Sequence, residues 1–138
     1  VGRAGQLLDR FLFAVDIPRE SVYIANILKC RPPHNRDPLP EEEAACIGHL
    51  REQVRIIRPK VIVCLGRIAA AKLIKPDFKI TKEHGKWVKK GDFYMTAVYH
   101  PAFLLRDPRK KEEMLRDMQS IREKLAELKG TTWTPPHL

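Results

Sequence analysis

The sequence predicts an α/β protein, a three-layer αβα sandwich built on a mainly parallel central sheet. Three observations predict it. The apolar runs at 22–28 and 60–65 are short and rich in Val, Ile and Leu, and they lack the alternation of a strand with one wet face, as strands buried on both faces do. Segments with apolar residues at helical spacing alternate with strand-like runs along the chain. The second run passes through Gly66 directly into a helical segment, the strand–helix pairing of parallel sheets.

Each element follows from local pattern. Leu8, Phe11, Leu12 and Val15 recur at helical spacing, which predicts a helix over 4–14 that ends before Pro18. Residues 22–28 form the first buried strand. Residues 29–40 hold four prolines and are expected as an ordered loop without regular structure. Glu41, Glu42 and Glu43 put negative charge at a helix start, where the macrodipole favours it. Ile47, Leu50, Val54 and Ile57 give that helix its buried face, and Pro59 ends it. Residues 60–65 are the second buried strand, and Gly66 opens a short helix through Ile68 and Leu73. Residues 86–90 and 93–99 flank a Lys90-Gly91-Asp92 turn and predict a hairpin. The last helix, over 108–128, carries Met114, Met118, Ile121, Leu125 and Leu128 on one stripe, with a charged face expected to be solvated. The organisation is one domain over 1–129 and an irregular tail over 130–138, with Pro135-Pro136.

Composition narrows the function. A chain of 138 residues has room for one core. No apolar run approaches the ~20 residues that span a bilayer, and no secretory signal opens the chain, so membrane and secretory roles are not expected. Val1 rather than Met stands first, which reads as a processed or cut chain. Lys and Arg number 26 against 17 Asp and Glu, a net charge of +9. Such an excess favours a polyanionic partner, nucleic acid ahead of an anionic membrane surface. Solubility, or the Lys/Glu-rich surface of a heat-adapted protein, is the other reading. Three cysteines are too few for a disulfide scaffold and point to a reducing, intracellular compartment. Cys64 lies inside an apolar run and reads as core.

Ligands of open α/β sheets bind at the carboxyl ends of the strands, and two candidate groups sit there. Asn26 lies near the end of the first strand. It reads either as an amide satisfying backbone groups or as a planar acceptor–donor pair that matches uracil N3–H and O4 and leaves cytosine unpaired. His100 follows the strand ending near Tyr99 and precedes Pro101. It reads either as a hydrogen-bonded structural residue or as an N–H donor to a leaving group that becomes negative. Phe103, Leu104 and Leu105, followed by Arg106, Arg109, Lys110 and Lys111, are expected as an exposed trio. They would be either the start of the final helix or a wedge entering a base stack beside phosphate-holding cations. Cys30 and Cys46 fall in polar surroundings, and two thiolates complete neither a zinc site nor an iron–sulfur cluster. His34 is a further candidate ligand, better read as a surface loop residue.

Longer strings carry a resemblance. Val1-Gly2-Arg3-Ala4-Gly5-Gln6-Leu7-Leu8, then Val22-Tyr23-Ile24-Ala25-Asn26-Ile27-Leu28-Lys29-Cys30-Arg31-Pro32-Pro33-His34-Asn35-Arg36-Asp37-Pro38, resemble the family 4 uracil-DNA glycosylases. Pro59-Lys60-Val61-Ile62-Val63-Cys64-Leu65-Gly66 and Tyr99-His100-Pro101-Ala102-Phe103-Leu104-Leu105-Arg106 continue the likeness, in order, to about residue 125.

The resemblance implies a uracil-DNA glycosylase-like fold and release of uracil from DNA in base-excision repair. It implies Asn26 as the uracil-reading amide, His100 as the histidine that stabilises the departing uracil anion, and Leu104 as the intercalating residue, with Arg106 beside it on DNA. It implies Cys30 and Cys46 as two of four ligands to a [4Fe-4S] cluster. The implied setting is a monomer on uracil-containing DNA in a prokaryotic cytoplasm, with the nucleoid and without a membrane. The family pattern begins before Val1 with two further cluster cysteines, a Gly-Glu-Ala-Pro-Gly-like segment that positions water and an aromatic that stacks on the flipped base. The chain is therefore expected to be part of a longer or cleaved protein. Two alternatives stay open: a non-catalytic, DNA-binding or cluster-bearing fragment that needs the missing segment, and a family 5 glycosylase of broader range.

Overall fold

Helical periodicity near the start of the chain becomes α1 (Arg3–Ala14), whose Leu7, Leu8, Phe11 and Leu12 face inward. It belongs to a computed structural model that describes residues 2–19, 22 and 40–128, the side chains of 40 and 42–47 excepted. Val22 apart, the strand expected over 22–28 lies outside the described residues, as do the loop up to residue 39 and the tail over 130–138. Pro40 does not close the loop as expected but opens α2 (Pro40–Ile57), a position where its missing N–H costs nothing. Arg58 stops α2 in the left-handed region (φ 53°), its N–H bonded to Val54 O at 2.8 Å, and Pro59 bars continuation. The expected inward stripe on α2 is only half-buried at Leu50, Val54 and Ile57, while Ile56 is exposed.

β1 (Val61–Leu65) leads into α3 (Arg67–Leu73), which packs through Ala70 rather than the exposed Ile68. A short helix, α4 (Ile80–Glu83), precedes β2 (Val88–Lys90) and β3 (Phe93–Val98). The sheet order is β1-β3-β2. β1 runs parallel to β3, with Leu65 opposite Val98. β2 and β3 form the expected antiparallel hairpin, with Lys90 opposite Phe93 and Gly91 at positive φ leading its two-residue turn. The described sheet is thus divided between a parallel and an antiparallel pair, and α/β as expected.

Alternation along the strands sends side chains to two cores. Val98, with Val63 and Leu65 at its margin, joins α1 and the later helices in one apolar cluster. Cys64, Met95 and Ala97 join Ala70 and Phe78 in another. Helices therefore cover both faces. The helix expected over 108–128 is preceded by a separate short one, α5 (Pro101–Arg106), and a 3-10 turn at Pro108–Lys110 leads into α6 (Lys111–Leu128). Met114, Met118 and Ile121 are buried as the stripe predicted, but so is Asp117 on the face expected to be solvated. Among the described residues no helix is long and apolar enough to cross a membrane.

Candidate functional site at the strand ends

The parallel pair of β1 and β3 brings two distant stretches of sequence together at their carboxyl ends. One residue beyond β1, the Gly66 N–H donates to Val98 O at 2.8 Å and extends the ladder. Gly66 has φ 91° and ψ 173°, a region essentially confined to glycine. A Cβ there would stand 3.0 Å from the His100 Cβ. Glycine at this turn is what lets β1 end against the histidine.

His100 is held from its own side by the start of α5. It is the N-cap, with extended backbone, and Pro101 fixes the first helical position. Its Nδ1 accepts a hydrogen bond from the Ala102 N–H at 3.0 Å. A neutral ring that accepts through Nδ1 carries its proton on Nε2. Burial, and then the Arg106 cation, hold the His100 pKa below the ordinary 6.5. The residue is therefore a neutral, oriented N–H donor near neutral pH, suited to an oxygen that gains negative charge. Gly66, Arg67 and Arg106 line the same crevice as His100.

The other expected site residues divide. Asn26 and Cys30 lie outside the described residues, and Cys46 falls on α2. Arg106 is exposed and makes no salt bridge among the described residues. Arg109 turns to Asp107, with Nε 3.0 Å from Oδ1, and Lys110 turns to Glu113 at 3.2 Å. The expected exposed trio requires correction at Leu104, which is 0% exposed in the core shared with α1. The three-residue step along α5 points Leu104 the same way as the buried Pro101. Phe103 and Leu105 are half-buried. In this conformation Leu104 could enter a base stack only if α5 left its core.

Cys30 and the Cys46 side chain lie outside the described residues, so the pair expected at an iron–sulfur cluster is not among them. No group of three His, Cys, Asp or Glu among them is arranged to hold a metal. Cys64 is buried in the sheet, which pushes its thiol up to about 12 and away from the thiolate a metal needs.

Periodicity gave no sign of a polar cluster behind His100. His84 Nδ1 lies 2.6 Å from Asp117 Oδ2, and its Nε2 lies 3.1 Å from Glu113 Oε1. Its ring meets that of Tyr99 at 4.7 Å between centroids, and Tyr99 stacks on Phe103 at 5.3 Å. The nearest sequence signal is Gly85, whose positive φ and lack of a side chain make room for Asp117.

Residues 1–125 match the model of the uracil DNA glycosylase superfamily. The chain belongs to that superfamily. Within it, the chain sides with the type-4 branch. It is 46% identical over 133 residues to the type-4 uracil-DNA glycosylase of Archaeoglobus fulgidus, covering 89% of this chain and 66% of that one. It is 46% identical over 111 residues to the type-4 enzyme of Thermotoga maritima, covering 78% and 57%. The type-4 enzyme of Sulfurisphaera tokodaii is 39% identical over 132 residues, covering 89% and 60%. The chain thus spans less than two thirds of the length of these relatives.

Proposed function

We propose that this chain forms the uracil-excising body of a DNA glycosylase that hydrolyses the N-glycosidic bond of deoxyuridine in DNA. The observation that carries the reading is the neutral His100 ring, which gives Nδ1 to its own helix and presents Nε2–H at the ends of β1 and β3. Membership of the superfamily supports the substrate class.

In this reading the basic surface holds phosphates, and the target nucleotide leaves the stack at a cost of a few kcal/mol. Asn26 pairs with uracil N3–H and O4. The C1′–N1 bond breaks with its electrons moving into the uracil ring, and the sugar approaches an oxocarbenium ion. His100 Nε2–H donates to uracil O2 as charge collects there. Water adds to C1′ and loses a proton to solvent, and the uracil anion takes one up, which leaves free uracil and an abasic site. Arg106 is the cation for a phosphate close to the histidine. Cys30 and Cys46 are the two thiolates of this chain proposed for an iron–sulfur cluster, and the other two would come from outside it. No step above passes through that group, and iron content with visible absorbance tests it. The proposed setting is the nucleoid of a prokaryotic cytoplasm.

Release of free uracil from a uracil-containing oligonucleotide by the full chain tests the reading. One transition-state donor is worth about 100-fold or more in kcat, so His100→Ala should lose that much. Unchanged turnover would remove His100 from the mechanism. DNA binding without any base release by the wild-type protein would favour a non-catalytic fragment.

A further inference from the structure

We propose that His84 is a positioning residue for His100, acting through Tyr99 from a clamp formed by Glu113 and Asp117. The proposal rests on the glycosylase reading for its kinetic arm alone.

Three observations carry it. First, His84 is enclosed by acceptors. Asp117 Oδ2 stands 2.6 Å from Nδ1 and Glu113 Oε1 stands 3.1 Å from Nε2, with the His84 side chain only 15% exposed. Each of these contacts needs a proton between nitrogen and oxygen, so the ring is held at both nitrogens. The Lys110 ammonium, 3.2 Å from the other oxygen of Glu113, holds that carboxyl below its usual range. Burial raises the Asp117 carboxyl, an effect its bond to His84 opposes. Second, the clamp is tied to β3, the strand that leads into His100. The Gly85 N–H donates to Ala97 O at 2.8 Å, and a Cβ on Gly85 would collide with Asp117 Oδ1. Glycine, at positive φ and without a side chain, lets the chain pass between β3 and that carboxylate without displacing it. Third, the next group in line is the neighbour of His100. The His84 ring lies against Tyr99, whose hydroxyl donates to the same Glu113 oxygen at 3.4 Å. Tyr99 stacks in turn on Phe103 of α5, the helix that His100 caps. The backbone on both sides of His100 is thereby braced from α6.

A donor displaced from the developing charge loses rate more than it loses substrate binding. The expected signature of His84→Leu in the full chain is thus a fall in kcat of about tenfold, at unchanged KM, per correctly folded molecule. His84→Arg, whose planar fork can donate to both carboxylates, should recover most of it. The spectroscopic arm is independent of activity. In His84→Leu the Ala102 amide and the His100 ring nitrogens should shift in 1H-15N spectra toward a weaker cap bond and a mixture of tautomers. Glu113→Gln keeps the side-chain size and should move the same resonances in the same direction, which covers failure of the leucine variant to fold. Spectra of Ala102 and His100 that stay unchanged in whichever of these variants folds would overturn the proposal, as would a tenfold loss that the arginine variant does not rescue. Wild-type protein that releases no uracil would instead overturn the glycosylase reading, and the spectra would still decide the role of His84.

Discussion

His100 does two things with one ring, and its acid–base behaviour follows. Protonation would fill Nδ1 and cost the Ala102 N–H its acceptor, while burial and Arg106 already disfavour the cation. The folded protein therefore binds fewer protons at His100 than the unfolded chain does in the window below 6.5. The associated stability is fully present above that value and is lost as pH falls through the lower, folded pKa. We expect the acid limb of kcat/KM to lie below 6.5 and the Ala102 amide to titrate with it. A limb at or above the ordinary histidine value would contradict the buried, capped geometry. The candidate donor was legible in the sequence because Pro101 follows His100 at a strand end. Its tautomer was not, since it depends on one backbone N–H in a helix that the periodicity merged with its surroundings. The burial of Asp117 was hidden for a related reason. Its partner His84 lies 33 residues upstream, and a helical wheel sees only the carboxylates beside it.

At the scale of elements, strands bounded by turns and helices of several turns were legible, and helices of one or two turns away from a strand were not. α1, β1, the β2–β3 hairpin and the inner stripe of α6 follow their predicted spans closely. α4 and α5 have four and six residues, too few turns to display a period. That brevity is why Phe103, Leu104 and Leu105 read as one exposed trio when α5 turns only Leu104 fully inward. The difference is measurable. Leu104→Ala should destabilise the fold by about 2–5 kcal/mol in urea denaturation, the cost of a cavity in a packed core. A side chain standing free as a wedge would cost less than about 0.5 kcal/mol.

Across the whole molecule, the net charge of +9 is distributed between cations that are engaged and cations that are not. Arg109 and Lys110 are paired with Asp107 and Glu113, whereas Arg106 faces the crevice exposed and without a salt bridge among the described residues. Affinity for DNA should fall steeply with salt, and removing one cation from a phosphate should lower the slope of log K against log salt by about 0.9. Anisotropy titrations at several salt concentrations should show a decrease of about that size for Arg106→Ala, while Arg109→Ala changes the slope less. Equal effects would place the phosphate path along both arginines.

The bracing of Tyr99 from α6 also orders events in time. Glu113 and Asp117 follow His100 in the chain, so a ribosome threads the histidine out before the residues that steady it. A nascent polypeptide stopped after α5 would hold Gly66, His100 and Arg106 but lack both the brace and the Met114, Met118 and Ile121 side chains that complete the core with α1. The orientation of His100 would then be completed only once α6 had emerged.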